Sequence, residues 1–501
     1  MSRVPWFSAI WLALAAGCTT LERPFRAHVE APSETVRDCA AWYAELDRVV
    51  DEAGVRDAQQ ARIAGFPYLR VDRAHAGLRA RAAQSDAAYA SFVERLGELD
   101  LVARAHEIRN LPPEHLNRLP GFQAAPAHTV ATQRTNDCGG LLRELDRADS
   151  EARAALIERA VVPDDYSTVA RALGLYPLTR YALASGVQRW EADTRSRWHE
   201  KPHDGVPVVR YAPPAAEPMS RRTVAGVLAR ARFDPLGQVR LSERELFDLA
   251  AAYAPSFDIA VAADYDRFGA LHWRRGGDMP QVDGSRLAVY VHPAQTRFGE
   301  TVLLQLVYTL WFPQRPALRT VDFLAGRLDA VVWRVTLAPD GEPLLYDSIH
   351  ACGCYHLFFP TPRARPRPAP DALDEWAFVP QALPPVTDGA RPLVRLASAT
   401  HYIESVDLVH GTDSLTRYVF RPYDELRSLP MGAGHRSAFG PDGLIAGSER
   451  SERWFLWPAG VPSAGAMRQW GRHATAFVGR RHFDDADLIE RRFDLELGAL
   501  P

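Results

Sequence analysis

Across residues 32–198, apolar side chains return every three or four positions within long segments rich in Ala, Leu, Arg and Glu, the period of a helix that buries one stripe. This predicts a helical domain over residues 32–200. One unit occurs twice in it: Asp38-Cys39-Ala-Ala-Trp-Tyr-Ala-Glu45-Leu46-Asp47-Arg48 matches Asp137-Cys138-Gly-Gly-Leu-Leu-Arg-Glu144-Leu145-Asp146-Arg147. A looser echo links Gly65-Phe-Pro-Tyr-Leu-Arg-Val-Asp-Arg73 with Gly174-Leu-Tyr-Pro-Leu-Thr-Arg180, so each unit is expected to be a helix, a connection, and a proline-containing start to a second helix. Two related units packed about a pseudo-twofold axis bring Cys39 and Cys138 to equivalent places, where a disulfide can join them. The competing reading is two unpaired, buried cysteines.

The pattern breaks at residues 201–218 (KPHDGVPVVRYAPPAAEP), a proline-rich stretch that reads as a domain boundary. Beyond it, Ser242 followed by Glu245 forms a capping box ahead of LFDLAAAYA, which predicts a helix start. From about residue 255 the period moves to two. Residues 286–292, 302–312, 329–337 and 391–401 are dense in Val, Leu, Tyr and Trp and predict strands. Pro339-Asp340-Gly341-Glu342 is turn chemistry and predicts a hairpin into residues 343–349. A Pro/Arg stretch at 359–370 continues as a surface loop, the whole Pro-rich excursion covering about 359–390. Residues 449–493, rich in Trp, Arg and His, are expected to lay a helix or two across the sheet. The fold class expected is therefore α+β: a helical N-terminal domain with an internal repeat, then a strand-rich, sandwich-like domain over 219–501 with peripheral helices.

At the N-terminus, Met-Ser-Arg precedes residues 4–17, which carry no charge, and small residues precede Cys18. This is the layout of a secretory signal, and an apolar core of about 14 residues falls short of the roughly 20 needed to span a bilayer. The stretch Leu14-Ala15-Ala16-Gly17-Cys18 resembles the lipobox of bacterial lipoprotein precursors, with Ala15 where that family usually has leucine. The resemblance implies a signal peptide over 1–17, acylation (palmitate) at Cys18 and a lipidated tether over 18–31. It also implies residence in the cell envelope. Thr19, in place of an aspartate, favours the outer membrane, on its periplasmic face or the cell surface. Two or more acyl chains give stable anchoring, each buried methylene contributing about 0.8 kcal/mol.

Composition adds limits. Hydrophobic residues at 47% and charged residues at 24% are ordinary for a globular protein. The 59 basic and 62 acidic residues leave a formal charge of -3, which gives no electrostatic reason to expect a nucleic-acid partner. Besides Cys18, the cysteines are Cys39, Cys138, Cys352 and Cys354, and an oxidising compartment permits two disulfides among them.

The densest chemistry is His350-Ala-Cys352-Gly-Cys354-Tyr-His356. Histidine and thiolate are ligands that zinc and other transition metals prefer. On a straight strand His350 and His356 would stand about 20 Å apart at roughly 3.3 Å per residue, so a turn at Gly353 is required for convergence. His401 is the best-placed outside ligand, with Glu404 and His410 behind it. A redox reading competes, in which Cys352 and Cys354 close a small strained disulfide, as does a structural one in which the cluster only orders a loop. Gly-x-Ser-x-Gly elbows, His-Glu-x-x-His helices, phosphate-binding loops and dinucleotide fingerprints are absent from the sequence. Asp264-Tyr265-Asp266 and Asp484-Asp485 read as solvated loop carboxylates.

The order of features in the second half, with Tyr253-Ala-Pro255, Asp329 and Trp333 before a hairpin, and a strand ending at His401, is loosely similar to the β-sandwich of necrosis-inducing-type proteins. That resemblance implies a sandwich and no activity. Two functions stand side by side. One is an envelope lipoprotein that binds a protein partner or scaffolds at the membrane. The other is a metal-dependent envelope hydrolase of a small-molecule substrate, with His350, His356 and His401 as ligands and Asp347 or Asp329 as base; the thiol pair offers a redox variant.

Overall fold

The computed structural model describes residues 24–120, 127–200, 205–215, 219–411 and 416–498; the expected signal segment over 1–17 and the first part of the expected tether, Cys18 included, lie outside them. Helix α1 (Glu34–Glu52) buries Val36, Cys39, Ala40, Tyr43, Leu46 and Val50, the three-and-four spacing of one apolar stripe. A short hairpin follows, β1 (Ala61–Ile63) with β2 (Phe66–Val71), and then α2 (Asp86–Asn110), whose Ser85 cap accepts from Ala88 N–H. Helix α3 (Ala127–Ala148) carries the second Asp-Cys unit and packs on α1, where Cys39 and Cys138 form a disulfide with their Cα atoms 5.0 Å apart. Trp42 Nε1 donates to Thr135 Oγ1 (3.1 Å) beside it.

The expected repeat holds for these two helices and fails beyond them. Residues 66–71 form a strand, whereas the echoing stretch at 174–180 opens a helix with Pro177 in its first turn. The difference lies in what each sequence can bury. Phe66, Tyr68, Leu69, Arg70 and Val71 are all inside, against α2, and Arg70 is ion-paired there with Asp100 (3.2 Å) and Glu107 (2.7 Å).

After helix α4 (Ser150–Arg159) the continuous run of helical-core residues ends at Ala160, with Leu236 joining it from the later chain. Helices α5 (Thr168–Leu173) and α6 (Tyr176–Arg197) lie instead on the β-rich part: Ser167 N–H donates to Gly460 O (2.7 Å), and the Trp190 ring sits 5.2 Å from that of Tyr355. A second tie between the two parts is buried, with Arg427 donating to both oxygens of Asp57 (2.9 and 3.1 Å).

Two sheets dominate the second half. Strands β3 (Val208–Tyr211), β4 (Ser256–Ala260), β5 (Ala288–Phe298), β6 (Thr301–Arg315), β7 (Gly326–Leu337), β8 (Pro343–His350), β9 (Leu357–Pro360), β10 (Ala390–Leu396), β11 (Ile403–His410) and β12 (Val419–Pro422) form a six-stranded sheet, β9-β8-β7-β6-β5-β12, and a four-stranded one, β11-β10-β4-β3. Pairing is antiparallel except for β12 with β5 and β10 with β4. One apolar core joins Val289, Leu306, Tyr308, Trp333 and Val335 of the first sheet to Phe257, Ile259, Val394 and Val406 of the second, so the two face each other as a sandwich. The opposite face of the six-stranded sheet is covered too, by Tyr423, Phe439, Met467 and Phe483. With helices segregated from largely antiparallel sheets, the fold is α+β.

The capping box at Ser242 is formed in both directions, starting helix α7 (Glu243–Tyr253), and the turn at Pro339–Glu342 closes a hairpin between β7 and β8 with Gly341 at φ 79°. Three expectations change. Strand β10 stops at Leu396 rather than reaching His401, because Ala399 and His401 adopt left-handed backbone at φ 64° and 52°. The Pro-rich excursion is partly strand: Phe358 and Phe359 each fill a core, and Ala364–Pro366 pairs with Phe493–Leu495. The C-terminal stretch carries only short helices, Arg453–Leu456 (α8) and Leu488–Arg492, and covers the sheet mainly as irregular chain.

Candidate functional site

Sheet register builds the site. Asp329 lies directly opposite Phe312 on β6, and His350 pairs with Val331 on β7, so His350 and Asp329 are diagonal neighbours within side-chain reach. His350 Nδ1 is 3.2 Å from Asp329 Oδ1, and His401 Nδ1 is 2.8 Å from Asp329 Oδ2. The other ring nitrogen of His401 stands 3.5 Å from Asp266 Oδ1, the outer limit of a hydrogen bond. Asp266 is itself held by Ser398 Oγ (2.7 Å), Ala399 N–H (2.6 Å) and Ala262 N–H (2.8 Å). Phe312 stacks on the His401 ring at 3.9 Å.

The electrostatics separate the two histidines. Burial presses His350 toward the neutral form and, although Asp329 opposes it, its pKa lies below the usual imidazole value. Burial works the same way on His401, but the carboxylates of Asp266 and Asp329 outweigh it and raise its pKa. Burial disfavours the charge on Asp329, yet its two histidines hold its pKa well below the usual carboxylate range. These shifts favour the charged form of His401 between two carboxylates and the neutral form of His350, whose Nδ1 faces Asp329. Among the described residues, no protein group is hydrogen-bonded to His350 Nε2.

His350 lines a cavity of about 430 Å³ together with Trp190, Tyr355, Ser398, Thr400, Tyr402 and Glu404. Tyr402 OH accepts from Arg315 (3.1 Å), and the Tyr355 and Tyr402 rings meet at 4.6 Å. Tyr355, Ala399 and His401 all have positive φ (60°, 64° and 52°), three of the seven such non-glycine residues among those described. Such strain persists only where the surroundings over-determine it and recurs at functional sites.

The turn at Gly353 exists: Gly353 N–H donates to His350 O (2.8 Å), φ is 88°, and a Cβ there would come 2.3 Å from Ala474 O. It separates the cluster rather than gathering it. His356 turns to Asp347 (3.0 Å), which is also held by both forks of Arg334 (2.9 and 2.6 Å). Cys352 and Cys354 are free thiols on a second cavity of about 350 Å³, with Cys354 N–H donating to Cys352 Sγ (3.4 Å). The contact with Cys352, together with burial, pushes the Cys354 thiol well above the usual range, away from a reactive thiolate.

The expected zinc or transition-metal set of His350, Cys352, Cys354, His356 and His401 is therefore not assembled. Among the described residues, no three His, Cys, Asp or Glu side chains are grouped to hold an ion. The physical reason is that Asp329 and Asp347 each capture different histidines while the thiols face elsewhere.

Asp329 and His401 were legible as candidates; Asp266, Tyr355, Tyr402 and Arg315 were not. Asp264 is fully exposed, as a loop carboxylate should be, but Asp266 two residues on is completely buried. Asp484 is buried as well and pairs with Arg73 (3.3 Å). Nothing in the spacing of either acidic pair separates its buried carboxylate from an exposed one. Comparison with known proteins gives no match: no family model fits the chain, and no curated protein or solved structure is significantly similar to it.

Proposed function

We propose that the chain is a lipid-anchored envelope protein, acylated at Cys18, whose β-rich part carries an acid–base site centred on His350. The observation that carries the site is the buried series His350–Asp329–His401–Asp266 ending at an aromatic-walled cavity. A neutral imidazole with its Nδ1–H fixed by a carboxylate presents a basic Nε2, the arrangement that lets histidine take a proton from water or a hydroxyl. Tyr402 OH on the cavity wall, itself accepting from Arg315, can donate to an oxygen that gains negative charge. Hydrolysis of an ester-type bond is the reaction these groups suit best. A cavity of this size admits a small molecule or the end of a larger one.

Hydrolysis of a panel of chromogenic acyl and phosphate esters by the purified chain, beside His350→Gln, tests the reading. The expected result is turnover lost in the variant, with a pH–rate profile whose rising limb lies below the usual imidazole pKa. Equal rates in the two proteins, or no turnover across the panel, would overturn it.

A further inference from the structure

The surface near the second cavity is unusually apolar for a water-facing one. Leu173 (73% exposed), Leu178 (69%), Trp454 (67%) and Phe455 (61%) stand out in solvent, with Tyr181 and Trp457 beside them. They form one region because the α5–α6 corner presses on the 457–459 turn: a Cβ at Gly174 would come 2.6 Å from Pro458 Cβ, and Arg171 Nε donates to Ala459 O (2.8 Å). Soluble proteins seldom expose large side chains in such numbers together unless something covers them.

Three observations say what covers them. The first is charge: from Tyr166 to Trp190 the chain holds Arg171, Arg180 and Arg189 and no acidic residue. Arg171 is buried, Arg180 pairs with Asp371 (3.3 Å) and Arg189 is exposed, and the Arg180 and Arg453 guanidinium groups sit over the Tyr181 and Trp454 rings at 5.7 and 4.7 Å. Aromatic residues beside arginine suit the boundary between lipid headgroups and acyl chains. The second is the cavity of about 350 Å³ directly behind. Leu183, Leu324 and Leu456, each one or two positions from an exposed apolar residue, line it, with Val461 and Phe378 further along its walls. The third is chain length. Only six positions separate Cys18 from Pro24, where the described fold begins, so an acylated Cys18 would hold the fold within roughly 20 Å of the bilayer at about 3.4 Å per residue.

We propose that this face seats on an anionic lipid bilayer and that the cavity behind it takes the acyl chain of a bilayer lipid. The site is separate from the His350 cavity, with which it shares the wall formed by Trp190 and Tyr355. The proposal stands whether or not His350 is catalytic.

The test uses the chain from Thr19, made without leader or lipid, and vesicles of phosphatidylcholine with one quarter phosphatidylglycerol. Flotation with the vesicles is expected, and Leu178→Ser with Trp454→Ser should cut the bound fraction at least ten-fold with an unchanged melting temperature, since both side chains are exposed. The cavity is read separately, by binding of the fluorescent fatty acid parinaric acid. Gly186→Phe, at a helical position whose Cβ direction is open, should fill the cavity and weaken that binding at least ten-fold while flotation persists. A folded parent that does not float, or a double variant that floats equally well, overturns the membrane face. A concentration-dependent dimer that Leu178→Ser dissolves, with no flotation, overturns it in favour of a second copy of the chain. Parinaric acid binding absent from the parent, or unchanged in Gly186→Phe, overturns the acyl-chain cavity.

Discussion

His350 and His401 hydrogen-bond to opposite oxygens of one carboxylate, at 3.2 Å to Asp329 Oδ1 and 2.8 Å to Oδ2. Three segments of the β-rich part meet at that carboxylate, which raises the pKa of His401 and orients His350.

Asp329→Asn tests this sharing. The amide cannot balance the charge of His401, and its NH₂ opposes the donor it faces, so a buried charge loses a partner. We expect a loss of about 3 kcal/mol in urea unfolding. Ester turnover should fall at least about 100-fold, because His350 loses the group that fixes its tautomer. Wild-type stability in the variant would contradict the assignment.

The Cys39–Cys138 bridge closes a loop of 99 residues in sequence separation. Loops of that length restrict the unfolded chain strongly, and removing the bridge by Cys39→Ser with Cys138→Ser should cost about 2–5 kcal/mol. Thermal melts of the double variant and of the parent with reductant, with mass measurement after alkylation, check it. The same alkylation should label Cys352 and Cys354 in the unfolded, unreduced parent, since both are free.

Glu452 lines the second cavity, and burial, opposed by Arg450 and Arg315, moves its pKa up from 4.5 to about 7. The folded state therefore holds a proton that the unfolded chain has lost between those values, and stability falls as pH rises from 4.5 to about 7. Glu452→Gln removes this slope. At pH well above 7 the variant should be more stable by about 1–3 kcal/mol, and the gain should vanish below about pH 4.5. Urea midpoints at both extremes decide it; a gain of equal size at both would mean that the carboxyl does not titrate.

Labelling with an alkyne analogue of palmitate should mark the parent and be lost in Cys18→Ala, a complete loss rather than a reduction, since one thiol is the acceptor. Fractionation alone does not suffice. The apolar face around Trp454 should keep part of the unlipidated chain on membranes.

Local features were legible where neighbours in the chain decide them. The capping box at Ser242, the turn at Gly341 and the stripe of α1 depend on contacts within a few residues, and each formed as the residue pattern indicated. The Phe66–Val71 strand was misread because its helix-like echo at residues 174–180 differs from it only in what it later buries. The His/Cys run was misread for a related reason: proximity in sequence places ligands near one another, but Gly353 turns them to different walls, and distant carboxylates choose which histidine goes where.

By itself, then, the sequence determined the α+β class, the pairing of the two Asp-Cys helices and the density of chemistry around His350, all through periodicity, capping and composition. The tertiary structure alone decided that Asp329 joins His350 to His401, that Asp266 is buried, and that the exposed leucines and tryptophans share one face. These are outcomes of sheet register and of segments far apart in the chain meeting in space, and no local spacing encodes a partner that tens to hundreds of residues separate.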